Sequence, residues 1–223
     1  MHTQKISLSG SNLKIIAITT MLIDHIGAVL FPTCYLLRCI GRLAFPIFCF
    51  LLVEGFLHTH NVRNYAIRLG IFAFISEIPF NLAISERIFN FSHQNVFFTL
   101  LIGLLVLIGL DKFKYKNWMQ YFIFVSGMII AELARVDYGC FGVIFIILFY
   151  LYHKHHKLLP LTISFFFFSF LANPMESLAT LAILPIACYN GKRGLSLKYV
   201  FYAFYPTHLF ILYLIAHLLH IYS

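Results

Sequence analysis

The sequence predicts an all-α protein, a polytopic transmembrane helical bundle of about nine spans with its N-terminus in the cytoplasm. Three observations predict it. Of the 223 residues, 61% are hydrophobic and 11% are charged, against roughly 25% charged in a soluble domain. Apolar runs of near-membrane length recur along the whole chain. Lysines and arginines collect in alternate short loops, twelve on one side against Arg38, Arg87 and Arg135 on the other. That is the positive-inside pattern, and with nine spans it puts the C-terminus outside. The net charge of +8 is therefore read as orientation and as affinity for anionic membrane lipid or a phosphorylated cosubstrate, with no nucleic-acid partner.

The spans read as 12–31, 36–57, 64–84, 95–110, 118–134, 139–152, 158–172, 176–190 and 199–219. The first follows Lys5 and Lys14 as a signal peptide would, but it carries Asp24 and His25 and lacks a small-residue cleavage site, so it is a retained helix. Several of the others are shorter than the ~20 residues a perpendicular helix needs and are expected to be re-entrant or to sit where the bilayer thins. The run Phe165 to Phe168 suits a lipid-facing surface. No repeat, linker or polar stretch divides the chain, so residues 1–223 form one domain. The five cysteines are odd in number and none has CxxC spacing, which excludes a disulfide framework and a zinc site.

Charged groups at membrane depth cost ~2.5–3.5 kcal/mol each on insertion scales and are functional candidates by default. Asp24 and His25 fall in the outer half of the first span, Arg42 two turns into the second, and Glu77 in the outer half of the third, ahead of Pro79. Gln94, Asn95 and Thr99 open the fourth span. Glu132 ends the fifth, with Asp137 and Tyr138 in the loop beyond, and His208 lies mid-way along the ninth after Pro206. All converge on one band between the midplane and the outer surface. Histidine is the side chain best suited to proton transfer near neutral pH, so His25 is the base candidate. Asp24 beside it points about 100° away on a helix, and Glu77 is the alternative partner. Glu54 lies at the cytoplasmic end of the second span, where a lid or structural role competes with a chemical one.

Lys14 and His25 are eleven residues apart, three turns, so they share one helix face about 16 Å apart. An anionic head held at Lys14 could extend an arm along that face to His25, as coenzyme A would. The segment Tyr189-Asn190-Gly191-Lys192-Arg193-Gly194 fits the same idea: two glycines expose backbone N–H groups and two cations supply charge.

These residues fall in motifs. Asp24-His25-Ile26-Gly27, Gly41-Arg42-Leu43-Ala44-Phe45-Pro46-Ile47-Phe48 and Glu54-Gly55-Phe56 come first. Ser76-Glu77-Ile78-Pro79-Phe80, Gln94-Asn95-Val96-Phe97-Phe98-Thr99 and Asp137-Tyr138-Gly139 follow. The basic loop and Phe204-Tyr205-Pro206-Thr207-His208-Leu209 complete them. In this order, over about residues 12–210, they resemble the TraX family, known as acetylases of the N-terminus of conjugative pilin. The family is similar in turn to the acyltransferase family 3 membrane enzymes, in which a basic residue, ten residues and a histidine recur, as Lys14 and His25 do here. The resemblance implies a multi-pass protein of the bacterial cytoplasmic (inner) membrane that takes acetyl-CoA from inside. It acylates an amine or hydroxyl of an acceptor, peptide or glycan, at the outer face.

By that resemblance His25 is the catalytic histidine, and Arg42, Glu77, Asn95 and His208 belong to its site. Asp24 or Glu77 would assist His25, and Arg42, Gln94 or Asn95 would stabilise the oxyanion. Lys14, Arg63, Arg68, Lys192, Arg193 and Lys198 would hold the CoA phosphates. Gln94, Thr99, Glu132, Asp137 and Tyr138 would face the acceptor. No metal is expected, and a homodimer stays open. Two rivals use the same residues. An ion-coupled transporter would run the carboxylates and histidines as a proton relay, but inverted repeats are not evident in the sequence. An intramembrane protease would need more than Glu54, His58 and His60, since no HExxH is present.

Overall fold

α1 (Gly10–Val29) starts where Ser9, in extended conformation, accepts a hydrogen bond from the Asn12 N–H. A turn through Pro32 leads to α2 (Tyr35–Gly41) and α3 (Ala44–His58), nearly one helix broken at Arg42 and Leu43. α4 (Val62–Ser85) is capped by Asn61 and contains Pro79, which has no N–H for the preceding turn. α5 (Val96–Lys112), α6 (Asn117–Leu133) and α7 (Gly139–His155) follow. Then come α8 (Leu158–Ala172), a 3₁₀ helix (Pro174–Ala182), α9 (Ile183–Ala187) and α10 (Lys198–Leu218). This computed structural model describes residues 7–196 and 198–221, and of Lys198 the backbone alone. Lys5 lies outside the described residues.

Among the described residues the regular structure is helical, with two isolated bridges, Leu8 to Tyr189 and Gln94 to Val136. α1 packs on α2, α3 and α10, while α4 lies between α10 and α5. α5 and α7 then carry α6 and α8 at the far side. The core is aromatic: Phe50, Phe145, Phe149 and Phe165 are fully buried, and Phe145 stacks on Phe165 at 4.3 Å.

The expectation of nine spans is corrected. Among the described residues four helices are long and apolar enough to cross a membrane: α1, α2 with α3 taken together, α4 and α10. α5 to α8 have 15 to 17 residues, about 23–26 Å at 1.5 Å per residue, short of a ~30 Å hydrocarbon core. The supposed eighth span is a 3₁₀ helix followed by one turn of α-helix. Hydropathy counts apolar residues; it does not distinguish an α-helix from the 3₁₀ winding of Pro174–Ala182. Phe165 likewise departs from the lipid-facing reading, whereas Phe166 and Phe167 are exposed.

Candidate active site

His25 sits one turn from the end of α1, and His208 two residues after Pro206 in α10. The packing of α1 on α10 brings His25 Nδ1 to 2.9 Å from His208 Nε2. His208 Nδ1 lies 2.8 Å from the carbonyl of Phe204, one turn back. A carbonyl only accepts, so His208 Nδ1 carries the hydrogen and its Nε2, in the neutral ring, is the acceptor. His25 Nδ1 must then donate, which leaves the lone pair of His25 on Nε2. This chain of two rings fixes a tautomer from geometry alone. Phe204 stacks on the His208 ring at 4.7 Å, and Tyr205 meets the His25 ring edge-on at 5.9 Å.

Asp24 faces away from His25, into a network of charges. Its Oδ1 is 2.7 Å from Arg42 Nη2 and its Oδ2 2.5 Å from Arg38 Nη1. Arg42 Nη1 reaches Glu176 Oε1 at 2.5 Å, and Arg42 Nε donates to the Arg38 carbonyl at 3.2 Å. Two carboxylates and two guanidiniums cancel, which is how a buried cluster avoids an uncompensated charge. Gly41 permits it: a β-carbon there would overlap the Asp24 carboxylate. Neither Asp24 nor Glu77 is the hydrogen-bond partner of His25; His208 is. The reason is the 100° step between adjacent helical residues, which turns Asp24 toward α2.

Glu77 accepts from the Asn95 side chain at 2.5 Å, and the same amide donates to the Ala73 carbonyl at 2.8 Å. Asn95 Oδ1 accepts from the Phe97 N–H at 3.1 Å as the cap of α5. The hydrogens of Asn95 are thus committed, and the residue fastens α4 to α5. Gln94 works through its backbone, exchanging bonds with Arg135 and Asp137 across the Gln94–Val136 bridge. Thr99 donates to the Asp137 carbonyl, and His93 Nε2 lies 3.3 Å from Asp137 Oδ1. That hydrogen bond, followed by the Asp137 charge, holds the pKa of His93, which stands in the loop between α4 and α5, above its ordinary value. Glu132 is exposed and caps the Cys140 N–H, apart from the histidines.

Two cavities share a wall near His25. The smaller, about 40 Å³, is lined by Asp24, His25, Phe45, Asp137, Tyr138 and Tyr205 among others. Tyr138 enters it from a left-handed backbone position (φ 65) and stacks on Phe45 at 3.7 Å. The larger, about 560 Å³, shares Met21, Phe48, Val96 and Tyr205 with it. Its other lining residues include Lys14, Arg68 and Arg193. The Arg68 Nε is buried without a hydrogen-bond partner. Arg63 and Lys192 are exposed and do not line this cavity, and the Lys198 side chain lies outside the described residues.

Sequence reasoning missed Glu176, Arg38 as a site residue and Tyr205. Glu176 had a signal, as the one acidic residue between Lys157 and Lys192. The basic loop also makes a contact the sequence did not announce: the Lys192 and Arg193 carbonyls accept from the Gly10 and Ser11 N–H groups, so the segment clasps the start of α1. Among the described residues no cluster of three or more His, Cys, Asp or Glu could hold a metal.

The fold and site define a class: an all-helical, apolar protein with a histidine pair and a neutral guanidinium–carboxylate network, in which His25 and Asp24 line a small chamber that shares wall residues with a larger, cation-lined cavity. The chain belongs to the TraX family, whose profile, described as TraX protein, matches residues 9–216. It is similar to the "Probable fimbrial assembly protein FimC, serogroup H1" of Dichelobacter nodosus, 30% identical over 242 residues covering 94% of this chain and 96% of that one. A stretch of 38 residues is 53% identical to "Uncharacterized protein RP591" of Rickettsia prowazekii (strain Madrid E), covering 17% of this chain and 15% of that one. No solved structure matches the chain.

Proposed function

We propose that the protein is a multi-pass acyltransferase of the bacterial cytoplasmic membrane, related to the acyltransferase family 3 enzymes. It moves an acetyl group from acetyl-CoA to an amine or hydroxyl of an acceptor at the outer face. One observation carries this reading: His25, whose lone pair is left on Nε2, lines a small cavity that shares Met21, Phe48, Val96 and Tyr205 with a larger one lined by Lys14, Arg68 and Arg193. The rise from Lys14 to His25 along α1, about 16 Å, suits a donor whose phosphates stay at the cations while its thioester reaches the histidine. The mouth would face the cytoplasm. The fimbrial assembly relative supports an acceptor among surface-appendage proteins.

In the reaction, His25 Nε2 takes the proton of the acceptor N–H or O–H as the nucleophile bonds to the thioester carbon. The carbonyl electron pair moves onto oxygen, where Tyr138 and Tyr205, which line the chamber, are the available hydroxyl donors. Collapse re-forms the carbonyl and breaks the C–S bond, and His25 returns the proton to sulfur. His208 accepts from Nδ1 throughout, so the transient imidazolium keeps one partner. Arg42 and Asn95, expected as oxyanion donors, spend three and two hydrogen bonds elsewhere, and Gln94 does not line the chamber.

The test is binding and slow hydrolysis of labelled acetyl-CoA by the purified protein in nanodiscs, wild type beside His25→Ala. Saturable binding in both, with hydrolysis lost in the variant, is expected. Folded wild-type protein that binds no acetyl-CoA would sink the reading and direct attention to proton flux in liposomes.

A further inference from the structure

Glu54, near the C-terminal end of α3, lies in a second polar cluster that the proposed reaction does not use. Its Oε2 accepts from the Tyr189 hydroxyl at 2.9 Å, and its Oε1 is 3.2 Å from His153 Nε2 on α7. His58, one turn on, lies 3.4 Å from the same carboxylate and also bonds the Glu54 carbonyl at 2.9 Å. Glu54, His58 and Tyr189 all line the large cavity, together with Arg193 four residues beyond Tyr189. The segment that carries both is held at its other edge by Leu8 and the start of α1, through Asn190 N–H to the Leu8 carbonyl at 2.9 Å, Gly10 N–H to the Lys192 carbonyl at 2.8 Å and Ser11 N–H to the Arg193 carbonyl at 3.0 Å. Gly191 and Gly194 take left-handed conformations (φ 75 and 70), so the segment owes little rigidity to its own backbone. Among the described residues its side-chain hydrogen bond to α3 is the one Tyr189 makes to Glu54, beside the ring contact of Tyr189 with Phe50.

We propose that Glu54 is the positioning residue for the phosphate end of the acyl donor: by fastening Tyr189 it holds segment 189–194, and with it Arg193, across the mouth of the donor cavity. This rests on the acyl-donor reading of that cavity. The carboxylate already accepts from the Tyr189 hydroxyl and has the His58 and His153 ring nitrogens within 3.4 Å, so it acts through the loop and does not touch the donor. Phe50 completes the joint, meeting the rings of Tyr189 and His153 at 5.2 Å each. A donor with phosphates gains from a fixed Arg193; a donor without them does not.

Glu54→Gln and Tyr189→Phe in nanodiscs test this, with acetyl-CoA and with acetyl-pantetheine, which lacks the nucleotide. Both variants are expected to bind acetyl-CoA about tenfold more weakly, as loss of a hydrogen bond to a charged group implies. Their affinity for acetyl-pantetheine is expected to stay within about twofold of wild type, and amides 189–194 to exchange with deuterium several-fold faster. Equal losses on the two donors, or wild-type affinity for acetyl-CoA in both variants, would overturn the proposal while leaving the donor reading intact. Wild-type protein that binds neither donor would overturn both, and unchanged exchange in the loop would overturn the fastening itself.

Discussion

At the scale of residues, the two histidines divide the work unequally. His25 holds the free lone pair, and His208 holds its tautomer. Replacing His208 by phenylalanine keeps a ring in the packing but removes the acceptor for His25 Nδ1. Turnover is expected to fall by about 10²-fold, within the range of a lost acid–base contribution, with acetyl-CoA affinity changed less than about threefold. Single-turnover kinetics beside equilibrium binding would separate the two. His93 makes a different prediction, on pH. Its folded pKa is raised, first by the hydrogen bond to Asp137 and also by the Asp137 charge. The stability it contributes is therefore complete below about 6.5, the ordinary value for an unfolded chain, and is lost as pH rises through the higher folded value. The melting temperature of wild type should exceed that of His93→Gln at pH 5.5, and the gap should close as pH rises above the folded value. A gap that widened with pH would refute the pairing. The side chain is half exposed, so the effect is modest.

Elements explain which of these contacts could be read from sequence and which could not. Polar residues at depth in apolar runs announce themselves one at a time, and His25, Asp24, Arg42, Glu77 and His208 all do so. Pairing does not, because it depends on which helices touch. His25 and His208 are 183 residues apart, and Arg42 finds Glu176 across 134, in a segment whose 3₁₀ geometry no hydropathy pattern announces. Local rules supplied a plausible neighbour, Asp24, where tertiary packing chose a distant one. The contact of α1 with α2 has its own test at Gly41. An alanine β-carbon there would overlap the Asp24 carboxylate and must push apart the helices that carry the Asp24–Arg42 pair. Gly41→Ala is expected to cost on the order of 1–3 kcal/mol, the range for overpacking, read as a lower unfolding midpoint in detergent. Gly70, whose added β-carbon would meet only ordinary contact at 3.8 Å from Leu101, is the control, and equal losses at both would refute the close approach.

Across the whole molecule, the cavity turns a charge pattern into a distinction among cations. From sequence, six basic residues stood as equal candidates for phosphate, since each lies in a loop or helix end on the same side. The fold separates them. Lys14, Arg68 and Arg193 line the cavity, while Arg63 and Lys192 are exposed away from it. Arg68 is the most informative of the first set. Its Cζ lies 5.7 Å from the Tyr65 ring and its side chain bonds Tyr202, but its Nε is buried with no hydrogen-bond partner, a costly state unless a ligand completes it. Arg63 is one turn and a residue earlier on the same α4, so the two substitutions alter the same helix and the same net charge. If the cations act only through the overall field of the basic side, Arg63→Ala and Arg68→Ala weaken acetyl-CoA binding alike, and salt erases both effects. If Arg68 contacts the donor, its loss costs about 10- to 100-fold, the equivalent of a charge-assisted hydrogen bond of ~1.5–3 kcal/mol, while Arg63→Ala stays within about twofold. Titration of each variant with labelled acetyl-CoA at two ionic strengths decides between them, and equal losses that vanish in high salt would remove Arg68 from the donor site.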